Sequence, residues 1–207
     1  MAKVATVMTD LFEDVEFTSP RDALVEAGHE VVVIGPEKGE VAKGKKEEAE
    51  IEIEIGIADA KPEDYDALLI PGGYSPDQLR GDERFLEFVR HFANEKKSIF
   101  SICHAPQLLV NADVLRGKDA TAVSQVAVDV KNAGGNYIDQ AVVIDDSGLI
   151  SSRTPDDLPE FNEAIVNALK AWFKRKEEPS WTTNSKGFFF LSIITSQVMI
   201  INNTDRL

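Results

Sequence analysis

The chain has 207 residues, 43% of them hydrophobic, enough for one substantial core and too few for two domains of ordinary size. A formal net charge of −14 argues against nucleic-acid backbones and anionic membrane surfaces as partners, since both would repel the protein at long range. A single cysteine excludes an intrachain disulfide framework, and an N-terminus that reads as a core strand rather than a secretory leader predicts a cytoplasmic protein.

In chain order, residues 4–8 read as a buried strand and residues 9–16 as a polar loop at its carboxyl end. A helix follows, with Ala23, Leu24 and Ala27 as its apolar stripe and Gly28 as C-cap; residues 30–35 form the next strand. This is a βαβ opening. Such sheets gather ligands outside the carboxyl ends of their strands, so Glu13 and Cys103 are expected at one crevice, with a solvated loop acid as the alternative reading of Glu13.

Ile51, Ile53, Ile55 and Ile57 alternate with Glu50, Glu52 and Glu54. Period two predicts a strand with one wet face, paired with the segment around Val41 through a turn at 43–46. Residues 67–70 form another buried strand, ended by the small-residue loop 71–76, where the Gly72 and Gly73 amides can line an oxyanion site. Helical spacing returns over 83–95, with Phe85, Phe88, Val89 and Phe92 on one face and His91 assigned to structure.

Residues 98–109 organise the rest. A buried strand breaks at Cys103 into a helix begun by Ala105 and Pro106. A thiol at such a turn faces backbone N–H groups and the positive end of the helix dipole, which lower a cysteine pKa. His104 follows directly. The bland alternative is an inert buried thiol; the strand–nucleophile–helix pattern favours a nucleophile elbow instead. Beyond it come a strand at 119–123, a helix at 126–133 ended by Gly134 and Gly135, a hairpin of 141–144 with 149–152, and a closing amphipathic helix at 158–176 with Phe161, Ile165, Leu169 and Trp172 inward. The alternation predicts a single-domain, doubly wound, mostly parallel α/β sheet in a three-layer sandwich over 1–176, with 177–207 as a C-terminal extension dispensable for chemistry.

Four stretches together carry a resemblance: 12–16 (FEDVE), 66–73 (DALLIPGG), 101–107 (SICHAPQ) and 151–158 (SSRTPDDL). The chain resembles the ThiJ/PfpI superfamily, with its class I glutamine amidotransferase-like (flavodoxin-like) fold, and in particular its PfpI-type intracellular proteases, general stress proteins and glyoxalase-like deglycases. The resemblance implies Cys103 as nucleophile, His104 as the histidine that follows it, and Glu13 reaching the thiol. It also implies oxyanion and substrate contacts from Gly72, Gly73, His104 and Ala105, and Asp77 as an acid that orients histidine from a neighbouring subunit of a homo-oligomer built on a dimer. Ala105 stands where relatives commonly have glycine.

The function expected is a cysteine-nucleophile stress enzyme acting on small dicarbonyls such as methylglyoxal, on their adducts, or on peptide bonds, with no cofactor and no metal required. Aldehyde attack needs only thiolate, an acid–base partner and oxyanion donors, whereas peptide hydrolysis must also protonate a poor leaving group. The alternative is a non-enzymatic redox sensor or stress-protective protein working through oxidation of Cys103.

Overall fold

The computed structural model describes residues 1–177, 180–183 and 189–192, with side chains through residue 172. In chain order the elements are β1 (Lys3–Val7), α1 (Asp14–Glu26), β2 (Glu30–Gly35), β3 (Val41–Lys43), β4 (Glu50–Glu52), β5 (Ile55–Gly56), β6 (Ala67–Ile70), α2 (Ser75–Leu79), α3 (Glu83–Asn94), β7 (Ser98–Ile102), α4 (Pro106–Asn111), β8 (Asp119–Ala120), α5 (Ala127–Asn132), β9 (Asn136–Tyr137), β10 (Val142–Ile144), β11 (Leu149–Ser152), α6 (Leu158–Glu177), β12 (Ser180–Thr183) and β13 (Phe189–Ser192). A seven-stranded sheet has the order β10-β11-β7-β6-β1-β2-β5. Among the described residues its only antiparallel pair is β10 with β11, the expected hairpin.

Both faces of this sheet are covered, which explains why β1, β6 and β7 read as nearly continuous apolar runs. Period two still sorts the side chains. Val32 and Ile34 join an apolar cluster with Phe85, Val89 and Leu108, while Val33 between them joins Met8, Phe12, Phe17 and Ile53 on the opposite face. Burying each phenylalanine contributes roughly 1.5–3 kcal/mol.

Two segments depart from the sequence reading. The alternating run at 51–57 is not one strand. It pairs as β4 with β3 across the expected turn, then breaks and joins the main sheet as β5 beside β2. The break follows from packing, because Ile53 turns inward against Gly35 while the Glu54 carboxylate accepts the Val33 N–H at 2.9 Å. The strand expected at 119–123 stops at Ala120 and pairs with β9 outside the main sheet, and the helix expected from 126 begins with a 3-10 turn at Ser124–Val126. The chain leaves the strand so that the Val123 N–H can donate to the Cys103 carbonyl at 3.1 Å.

The chain divides into two compact units, Met1–Val166 and Asn167–Leu207, with the division inside α6. In the first unit Phe161 and Ile165 are buried, and Asn162 donates to Ser19 Oγ at 2.8 Å. In the second, β12 and β13 pair antiparallel. Apart from β13, the apolar run at 187–201 lies outside the described residues. Among the described residues no helix is long and apolar enough to cross a membrane.

Candidate active site

Strand β7 lies between β6 and β11, and the chain turns sharply at its carboxyl end. Cys103 sits there with φ 62°, a left-handed conformation that costs a residue with a Cβ on the order of 1–3 kcal/mol. Three backbone hydrogen bonds hold the turn. Cys103 N–H donates to the Ser152 carbonyl at 3.1 Å, its own carbonyl accepts from Val123, and Ala105 N–H donates to the Ile102 carbonyl at 3.0 Å. The elbow is therefore fixed by β7, β11 and the 121–123 segment together, before α4 begins at Pro106.

The thiol faces a converging set of groups. Its sulfur lies 3.3 Å from His104 Nδ1, and the backbone N–H groups of His104 and Gly73 point at it. The fourth neighbour is Glu16, whose carboxyl group lies against the Cys103 side chain so that each shifts the other's titration. Glu16 is fully buried on α1, in line with Phe17, Pro20 and Leu24. Its Oε2 accepts the Gly72 N–H at 3.0 Å. Glycine is required at 72 because a Cβ there would collide with that oxygen and stand 2.8 Å from the Cys103 Cβ.

Two acidic groups in contact inside a protein titrate as a pair. Burial pushes the Glu16 carboxyl up to about 7, helped by the charge of Glu13 and opposed by its hydrogen bonds to Cys103 and Gly72. Burial, followed by the Glu16 charge, pushes the Cys103 thiol up, against the pull of the His104 and Gly73 amides. This corrects the expectation of a thiol lowered by the helix end: α4 spans only six residues, and desolvation beside a carboxylate outweighs its dipole. Burial and Lys45 hold His104 below its ordinary value, with Asp77 opposing. At neutral pH its imidazole is uncharged.

Glu13 is not the residue at the thiol. It occupies the N-cap position of α1, and its carboxylate pairs with Lys45 Nζ at 3.0 Å and Lys46 Nζ at 3.1 Å. It stands one helical turn before Glu16, at an extended residue outside the helix proper. Glu16 is the carboxylate inside the helix, on the buried face with Pro20 and Leu24 at i+4 and i+8; Glu13 falls on the same spacing, so spacing alone does not separate the two acids.

The remaining expected residues divide. Gly73 and His104 present N–H groups to the site, whereas the Gly72 and Ala105 amides are committed to Glu16 and Ile102; neither can donate to an oxyanion. A Cβ on Gly73, at φ 75°, would press on the Leu11–Glu13 backbone, so the loop after β6 abuts the loop after β1 only with glycine there. Asp77 pairs with Arg80 at 2.6 Å and acts on His104 through its charge. Tyr74, absent from the sequence reading, lies with its ring 6.4 Å from the His104 ring and beneath Lys45. His91 packs on Phe92, away from the elbow.

Residues 2–168 match the DJ-1/PfpI family. Over 169 residues the chain is 53% identical to protein/nucleic acid deglycase 2 of Escherichia coli, covering 82% of this chain and 98% of that protein. It is 51% identical over 168 residues to general stress protein 18 of Bacillus subtilis, covering 81% and 98%. Among solved structures, a two-domain protein of Anabaena variabilis with dj-1/thij/pfpi-like and ferritin-like domains superposes with a TM-score of 0.80 at 38% identity, covering 82% of this chain and 48% of that one. Oxidized DJ-1 of Toxoplasma gondii superposes with a TM-score of 0.74 at 23% identity, over 84% of this chain and 95% of the other, a likeness of fold.

Proposed function

Because the chain belongs to the DJ-1/PfpI family, we propose that it is a cysteine-dependent stress-response enzyme of deglycase type, acting on small 2-oxoaldehydes or on their adducts. The observation that carries this reading is the strained Cys103, held against Glu16, His104 and two backbone N–H donors. Above the titration of the pair, Cys103 and Glu16 share one proton and one negative charge. Sulfur attacks the aldehyde carbon, forming the S–C bond. The carbonyl electron pair moves to oxygen, stabilised by the Gly73 and His104 amides, and the shared proton passes to that oxygen through Glu16, giving a hemithioacetal.

Neutral His104, 3.3 Å from the sulfur, takes the C–H proton of that carbon and returns it to the neighbouring ketone carbon while the hydroxyl proton moves to the former ketone oxygen, leaving a thioester. Water then cleaves the C–S bond to release a 2-hydroxy acid and restore the thiol. Atoms balance with water alone, and no external oxidant or reductant enters. Peptide cleavage is less well supported: it needs a protonated acid for the amine leaving group, and His104 is held in its neutral form. The same reading carries a homo-oligomer built on a dimer.

The redox-sensor alternative draws on the same amides, which would equally hold the oxygens of an oxidised sulfur. Methylglyoxal turnover to lactate without glutathione, measured on wild type and Cys103→Ser, separates the two. Loss of turnover in the variant is expected. Undiminished turnover in Cys103→Ser overturns the nucleophile, and absent turnover in the wild type overturns the enzyme.

A further inference from the structure

The mouth of the site carries positive charge on a chain whose net charge is −14. Glu13, only 9% exposed at its side chain, holds two ammonium groups on one carboxylate, Lys45 at 3.0 Å and Lys46 at 3.1 Å. Those three charges sum to one positive charge; the Glu48 and Asp14 carboxylates also act on Lys46, Asp14 with its oxygens turned to backbone N–H groups. Both lysine side chains remain about half exposed, at 45% and 52%, and an ammonium has three donors, of which one carboxylate contact uses one. Hydrogen bonding to Glu13 raises the pKa of both lysines, so both are charged at neutral pH.

The loop bearing them is built rather than loose. Asp14 accepts the backbone N–H groups of Lys46, Glu48 and Ala49 at 2.9, 3.1 and 2.8 Å, and Lys45 N–H donates to the Phe12 carbonyl at 2.7 Å. Lys45 Nζ then lies 5.8 Å over the Tyr74 ring, which neighbours His104, and its charge is felt by both Cys103 and His104. A fixed, half-solvated cation pair beside a nucleophile selects the charge of what approaches that nucleophile.

We propose that Lys45 and Lys46, held by Glu13, form an anion subsite that makes carboxylate-bearing carbonyl compounds the preferred substrates of Cys103. This rests on Cys103 as the reacting group but not on turnover. The test therefore uses alkylation of the chain's only cysteine by iodoacetate, an anion, and by iodoacetamide, its neutral counterpart. The ratio of the two rates cancels changes in sulfur nucleophilicity. Lys45→Gln and Lys46→Gln should each lower the iodoacetate-to-iodoacetamide ratio, the double variant by on the order of five- to tenfold at low salt. Lys45→Arg should preserve it, and added salt should lower it in the wild type and in Lys45→Arg but not in the double variant. A double variant that keeps the wild-type ratio overturns the subsite, even if methylglyoxal turnover proves the enzyme reading right. A lost ratio without any turnover leaves the subsite standing and removes the enzyme.

Discussion

Glu16→Gln isolates the cost of the buried carboxyl. Glutamine fills nearly the same volume and its side-chain oxygen can still accept the Gly72 N–H, but it cannot ionise. In the folded chain burial raises the Glu16 pKa from 4.5 to about 7. The folded state thus binds more protons than the unfolded one between those values, and stability falls as pH rises through that window. At about 1.4 kcal/mol for each pH unit, the wild type gives up about 3 kcal/mol that the variant keeps. Urea unfolding of both proteins at pH 4, 6 and 8 measures this directly, since titrating groups that Glu16 does not touch cancel in the difference, and the thiol stays largely protonated in both states over this range. The stability of Glu16→Gln relative to wild type should rise by about 3 kcal/mol from pH 4 to pH 8. A difference that does not change with pH would show that Glu16 titrates like a solvated acid, and the shared-proton pair with Cys103 would fall with it.

The same pair predicts that wild-type kcat/KM for methylglyoxal rises with pH through an apparent pKa near 7 as the first proton leaves. In Glu16→Gln that rise should vanish from the neutral range, with kcat/KM lower by on the order of 10²; a wild-type profile flat from pH 5 to 8 would contradict it. Gly72→Ala should displace Glu16 from the sulfur and destabilise the fold by about 1–3 kcal/mol, since its Cβ has no free position between Glu16, Cys103 and the Ile102 carbonyl. Unchanged iodoacetamide labelling and unchanged unfolding in that variant would refute the close packing.

The sheet was legible because its central strands are buried on both faces and carry uninterrupted apolar runs, and because helices with one apolar face separate them. The elbow was legible for a related reason: an apolar run that ends in Cys103, His104, Ala105 and Pro106 cannot continue as a strand. What escaped were features set by tertiary pairing. Ile51 to Ile57 hold one periodicity, yet they serve two sheets because Glu54 binds the β2 backbone. Residues 121–123 look like a strand and instead leave the sheet to hold the Cys103 carbonyl.

The misplaced acid shows where pattern reading stops at a site. Glu13 and Glu16 are both carboxylates within four residues of each other, and position relative to the end of β1 does not separate their roles. The helix boundary does: Glu16 lies inside α1 on the buried face with Pro20 and Leu24, where a carboxylate must either find a partner or take up a proton, whereas Glu13 is the extended N-cap residue. Glu16 does both, through Gly72 and Cys103. Glu13 is buried as well, but its partners, Lys45 and Lys46, come from a loop more than thirty residues away, so no local pattern could assign them. The consequence is a division of labour between two neighbouring acids. In the proposed chemistry Glu16 governs the proton of Cys103, and Glu13 holds the two lysines that an approaching substrate meets.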